Sequence, residues 1–114
     1  MNDLMYNVEV NGKQYTLTGE GQLTDMSSWD KDILGWLADK ADIELKEEHH
    51  TALKYIRDNY ASRERYPVVR LVADHLGQKH GADKGTQRFF YDLFPKGVGQ
   101  ASTLAGIPVK ELCF

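Results

Sequence analysis

Residues 6–17 read YNVEVNGKQYTL. Two alternating runs flank Asn11-Gly12, the favoured pair for a type I′ hairpin turn, because both central positions of that turn need positive φ. Pairing across the turn sets Tyr6 opposite Leu17 and Val8 opposite Tyr15. All four side chains then share one face, which can lie over a core. The hairpin is expected over about residues 5–18.

Beyond it, Gly19, Gly21 and Thr24 mark a loop. Ser27 or Ser28 is expected to cap the next helix by accepting a bond from an orphan backbone N–H. In that helix Trp29, Ile33, Trp36, Leu37 and Ala41 recur at helical spacing. A longer helix over about residues 46–60 carries a stripe of His49, Ala52, Leu53, Ile56 and Tyr60, with Lys54, Arg57 and Asp58 mostly off that face. Pro67 suits a first helical turn; Val69, Val72 and Leu76 follow as a short stripe that Gly77 can end. Asp83 is expected to cap one more helix, holding Phe89, Phe90, Leu93 and Phe94 and stopped by Pro95. The fold class is α+β, mainly α: an N-terminal hairpin, a small helical bundle over about residues 27–94, and a flexible C-terminal arm over about residues 96–114. The arm has room for one short helix near residues 100–105, and Gly97, Gly99 and Gly106 are its expected hinges. The chain reads as one domain over residues 1–114.

Composition bounds the function. Hydrophobic residues make up 41% of the chain and charged residues 27%, ordinary globular usage. No apolar run approaches the roughly 20 residues that span a bilayer, and the N-terminus lacks the pattern of a secretory signal. The single cysteine rules out an internal disulfide and fits a reducing, cytoplasmic location. The net charge is -3, with acids concentrated in the first half and bases in the second. That balance suits an acidic partner surface or a nearby RNA, but not a free-standing nucleic-acid binder.

Cys113 is the penultimate residue. A free thiol ionises near pH 8.5, so little of it is thiolate at neutral pH. The terminal carboxylate one residue on disfavours the thiolate further, and Lys110 partly offsets it. Such a thiol is a poor self-activated nucleophile and needs a partner to supply charge or base. This suits a carrier, whose sulfur must enter other proteins' clefts and react only there. From Ile107 to Phe114 the arm can extend about 25 Å. The competing reading is an incidental cysteine, since free cysteine is more often buried and inert.

The other chemistry-bearing residues suggest less. His49 and His50 point to different sides of a helix, and His75 and His80 are not a ligand pair, so no metal site is expected. There is no phosphate-binding glycine motif. Glu47 and Glu48 read as a solvated helix face, and Phe89, Phe90, Tyr91 and Phe94 read as core. Lys79, Lys84, Arg88 and Lys96 form a basic string that is either a solvated surface or a docking patch. The segments around Pro67 to Leu76 and Lys84 to Phe94 admit a remote helix-turn-helix reading. The acidic charge and the lack of an Arg-, Asn- or Gln-rich reading helix oppose it.

The C-terminal stretch ADKGTQRFFYDLFPKGVGQASTLAGIPVKELCF resembles the DsrC/TusE family. The matching features are Asp83-Lys84-Gly85, Leu93-Phe94-Pro95, Gly97, Gln100-Ala101, Ala105-Gly106, Pro108 and Cys113. Leu45, Glu48-His49, Ile56-Arg57, Pro67 and Arg70 also look like family positions. The resemblance implies a sulfur carrier whose penultimate cysteine, Cys113, holds a persulfide, with no cofactor. Lys84, Arg88, Lys96 and Lys110 are candidates for partner docking. DsrC proper carries a second arm cysteine where this chain has Ser102, so the resemblance points to the single-thiol TusE-like branch. That branch implies a transferase-class relay without a self-contained active site. It would take sulfur from a TusBCD-like complex and pass it to a thiouridylase in tRNA 2-thiouridine synthesis, as a monomer with only indirect tRNA contact and no membrane. The alternative within the family is an accessory (γ) subunit of a dissimilatory-sulfite-reductase-type complex. Two departures affect the arm. Gly97-Val98-Gly99-Gln100 lacks the family's usual proline and lysine, and Ile107-Pro108-Val109-Lys110 lacks the second proline. Both imply a looser, less basic arm.

Overall fold

The computed structural model describes residues 5–63 and 68–107. Strands β1 (Met5–Val10) and β2 (Lys13–Thr18) pair antiparallel, with Tyr6 opposite Leu17 and Val8 opposite Tyr15 as the turn chemistry requires. Asn11 and Gly12 hold φ of 52° and 81°, the left-handed pair of a type I′ turn. The shared face is buried unevenly. Tyr15 and Leu17 are in the core and Val8 packs against it, but Tyr6 is 43% exposed at the outer corner.

A 3-10 turn at Met26–Ser28 leads into α1 (Lys31–Lys40), followed by α2 (Glu47–Arg63) and α3 (Val69–His80). A second 3-10 turn at Ala82–Lys84 precedes α4 (Gln87–Leu93) and α5 (Val98–Leu104). Leu17, Leu23, Ile33, Leu34, Leu53, Ile56, Leu76, Phe90, Phe94, Leu104 and Ile107 are the large side chains of one core. Strand β2 and all five α-helices contribute to it.

The cap of α1 is Asp30, not Ser27 or Ser28. Those serines lie in the preceding 3-10 turn, which Asp25 caps by accepting from the Ser27 N–H at 3.0 Å. The Asp30 carboxylate sits one residue before α1 and accepts from the Ile33 N–H at 3.0 Å, from the Tyr15 hydroxyl at 2.7 Å and from Lys13 at 3.0 Å. Burial alone would raise its pKa, but these donors outweigh burial and hold it at about 2. Asp32 adds contacts to Lys13 at 2.9 Å and to the Asn11 amide at 2.8 Å. One small polar cluster thus ties the hairpin to the start of α1.

Helix α2 buries the expected stripe of His49, Ala52, Leu53 and Ile56, with Tyr60 partly buried. His49 is polar yet almost fully enclosed, and its ring shows why. Nδ1 accepts from the Lys46 N–H at 3.0 Å, satisfying an orphan donor ahead of α2, and Nε2–H donates to the Leu93 carbonyl at 2.9 Å. Its edge packs on Phe94, with ring centroids 5.3 Å apart.

Two helix boundaries differ from expectation. Helix α3 runs past Gly77 to His80, and Gly81, at φ 113°, ends it. Gly77 instead allows a close crossing, because a Cβ there would stand 2.9 Å from the Gly85 Cα. Helix α4 is capped by Thr86, whose hydroxyl accepts from the Phe89 N–H at 3.1 Å, while Asp83 sits in the preceding 3-10 turn. The short helix expected near residues 100–105 is present as α5, but this stretch is not a loose arm: Ala101, Ser102, Leu104, Ala105 and Ile107 are all buried against the body. Among the described residues no helix is long and apolar enough to cross a membrane.

Neutral His49 yields a pH test. Burial, the largest influence, lowers its pKa, and burial also lowers that of His75. The unfolded chain therefore takes up protons first as pH falls below about 6.5, and stability is full above that value and declines beneath it. The urea midpoint of the wild type should drop between about pH 7.5 and about pH 5.5. His49→Leu should cost roughly 2–4 kcal/mol at neutral pH, because it strands a donor and an acceptor, and should show a smaller pH dependence.

Candidate functional site

Cys113 and Lys110 lie outside the described residues. The structure does give, atom by atom, the point from which residues 108–114 depart. Helix α5 ends in a Schellman motif: the Ile107 N–H reaches the Ser102 carbonyl at 3.0 Å and the Gly106 N–H reaches the Thr103 carbonyl at 3.1 Å. Gly106 adopts φ 74°, the left-handed conformation this motif needs. A Cβ at Gly106 would also fall 2.6 Å from Cδ1 of Trp29, so sterics and backbone conformation both require glycine.

Two carbonyls at this helix end are held from elsewhere. The Trp29 indole Nε1–H donates to Leu104 O at 2.7 Å. Arg57 Nη1 donates to Ala105 O at 2.7 Å, and Nη2 reaches Met26 O at 3.4 Å. The guanidinium lies 4.1 Å from the centroid of the Trp29 ring, a cation–π contact that locks the two side chains together. Burial pushes the Arg57 pKa below its ordinary value while Asp58 opposes the shift, and the group stays charged. Its half-buried guanidinium thus spends its donors on backbone oxygens, while Asp58 pairs with Lys54 at 2.8 Å. Sequence periodicity put Arg57 mostly off the buried face of α2, and it nevertheless reaches the core edge. The signal available in sequence was the family-like pair Ile56-Arg57.

The other predicted residues scatter. Gly97 precedes α5 at φ 86°, Gly99 sits in its first turn with open space around it, and Gly106 closes it. These expected hinges therefore bracket a packed helix. Lys84 is bound to Glu48 at 2.6 Å, 5.9 Å from the Phe89 ring centroid, so it is engaged within the body. Arg88 and Lys96 are exposed. Lys96 borders an open groove of about 670 Å³ that Trp36, Lys40, Gln100 and Thr103 also line. The histidines stand apart: His75 stacks on Tyr55 and His80 bonds to Thr51. Among the described residues no cluster of three or more His, Cys, Asp or Glu side chains could hold a metal ion.

Ser102 is fully buried on α5, and its hydroxyl has no hydrogen-bond partner among the described residues.

A two-stranded hairpin followed by five α-helices around one core defines a small, mainly helical α+β domain. The chain belongs to the DsrC-like family, whose model, described as DsrC like protein, matches residues 9–114. The sulfurtransferase TusE of Pectobacterium atrosepticum is 32% identical over 107 residues, covering 93% of this chain and 98% of that protein. TusE of Escherichia coli K12 is 33% identical over 103 residues, 90% of this chain and 94% of that one. Among solved structures, DsrC of Allochromatium vinosum superimposes with a TM-score of 0.80 at 33% identity, covering 92% of this chain and 95% of that chain. The oxidised γ-subunit of dissimilatory sulfite reductase (DsrC) from Archaeoglobus fulgidus gives 0.81 at 32% identity, covering 90% and 95%.

With no partner among the described residues, the buried Ser102 hydroxyl lacks compensation there, a cost of about 1–3 kcal/mol. Ser102→Ala should therefore leave the thermal midpoint unchanged or raise it. Calorimetry showing a clear loss of stability would mean that the hydroxyl has a partner in solution.

Proposed function

We propose that this protein is a single-thiol sulfur-relay carrier. Cys113 accepts a sulfane sulfur as a persulfide and hands it to the next protein. The observation that carries this reading is the pairing of one cysteine with near-full-length similarity to proteins named sulfurtransferase TusE. In the loading step the Cys113 thiolate attacks the terminal sulfur of a donor persulfide. The donor S–S bond breaks, the donor sulfur leaves as a thiolate, and the new S–S bond forms on Cys113. The proton lost by one thiol is regained by the other, so the exchange is redox-neutral and needs no cofactor. Unloading repeats the exchange, with Cys113 as the leaving group.

A free thiol is mostly protonated at neutral pH, which fits activation inside partner clefts. We assign the donor to a TusBCD-like complex and the acceptor to a tRNA thiouridylase, in the cytoplasm, with Arg88, Lys96 and Lys110 available for docking. The similarity to DsrC γ-subunits supports a second reading, an accessory subunit of a sulfite-reductase-type complex. Ser102 weighs against it. A hydroxyl cannot form the disulfide or the sulfur-bridged product that two thiols allow.

Incubation with a persulfide-loaded donor, followed by intact-mass measurement, tests the assignment. The wild type should gain the mass of one sulfur atom, and Cys113→Ser should gain none. Loading that persists in the variant would refute Cys113 as the carrier site. Co-purification with a sirohaem enzyme instead of TusBCD-like proteins would favour the γ-subunit reading.

A further inference from the structure

We infer that Trp29 and Arg57 are positioning residues for sulfur transfer: their shared grip on the Leu104 and Ala105 carbonyls fixes where, and in which direction, the cysteine-bearing segment leaves the body. This rests on the carrier reading above and deepens it.

The Schellman bonds of α5 satisfy the Ser102 and Thr103 carbonyls and leave those of Leu104 and Ala105 without a local donor. The additional donors come from far away in the chain, 75 residues upstream for Trp29 and 48 for Arg57. They converge on two consecutive carbonyls immediately before the departing segment. They are also joined to each other by the cation–π contact, and Arg57 reaches a third carbonyl, Met26 O, in the turn that precedes α1. Gly106 then seats directly on the Trp29 ring. The last described residue, Ile107, is buried, so its direction is set by the same packing.

Geometry explains why a carrier would need this. Cys113 is six residues beyond Ile107, a reach of about 20 Å when extended. The position of the root therefore sets the region, about 20 Å in radius, that the sulfur can reach. Docking places the body outside the partner's cleft, so the root must sit within that reach of the reacting atom. Misplacement on the scale of 1 Å costs up to about a hundredfold in rate. Trp29→Phe keeps an aromatic ring near Gly106 while removing the indole donor and reducing the ring surface on which Arg57 stacks. Arg57→Gln removes the cation and the fork of donors.

A nitroxide attached to Cys113 reports the segment's range through paramagnetic broadening of body amide signals. In the wild type, broadening should be confined to one sector of the body, and in both variants it should spread to others. In parallel, the kcat/KM for sulfur acceptance from a persulfide-loaded TusBCD-like complex should fall tenfold to about a hundredfold. Alkylation of Cys113 by iodoacetamide should proceed at an unchanged rate. If Arg57→Gln fails to fold, Trp29→Phe carries the test alone. A folded Trp29→Phe protein with the wild-type broadening pattern and unchanged transfer would overturn the inference. If the wild type takes up no sulfur at all but its confined pattern spreads in the variants, the grip stands and the carrier reading falls.

Discussion

Carbonyls at the end of a helix that finishes inside a protein cannot be left to water. The last turn of α5 is buried, and so is the residue after it. Each orphan oxygen there must find a donor or destabilise the fold by about 1–3 kcal/mol. The chain answers with an arginine from the middle of α2 and a tryptophan from the loop before α1. That requirement couples three regions distant in sequence. It also turns what reads as a loose tail into part of the body up to Ile107.

The remaining architecture serves the same end. The Asp30 cluster ties the hairpin to α1, so Tyr15 and Leu17 close the core from one side. His49 ties the start of α2 to the end of α4. With α2 and the loop before α1 held in place, the donors that reach α5 are held too.

Much of this was legible in sequence. Asn11-Gly12 dictated turn type and register, because only left-handed residues close a two-residue hairpin. The stripe from His49 to Ile56 followed from helical period. What escaped was non-local. Nothing in the local pattern chooses between Ser27, Ser28 and Asp30 as a cap, and the choice falls to Asp30 because Tyr15 and Lys13 arrive from the hairpin to share its charge. Arg57 read as solvent-facing, since periodicity assigns a side chain to a sector and ignores its length. A long guanidinium can leave the polar side and still reach a carbonyl at the core edge. The glycines of residues 97–106 suggested looseness, whereas Gly97 and Gly106 serve backbone conformations that packing imposes. At the candidate site, the identity of Cys113 and the meaning of Ser102 came from the family resemblance, and the Trp29–Arg57 grip only from three dimensions.

The crossing of Gly77 and Gly85 has a practical consequence for anyone building tools from this protein. Two backbones touch there with no side chain between them. That corner behaves as a solid joint that tolerates neither an inserted loop nor a genetically encoded reporter. The first strand offers a better attachment point. Met5, 59% exposed on the first strand, could carry an affinity handle or fluorophore. A tag placed there would leave the α3–α4 joint untouched and keep the chain's native thiol free for labelling.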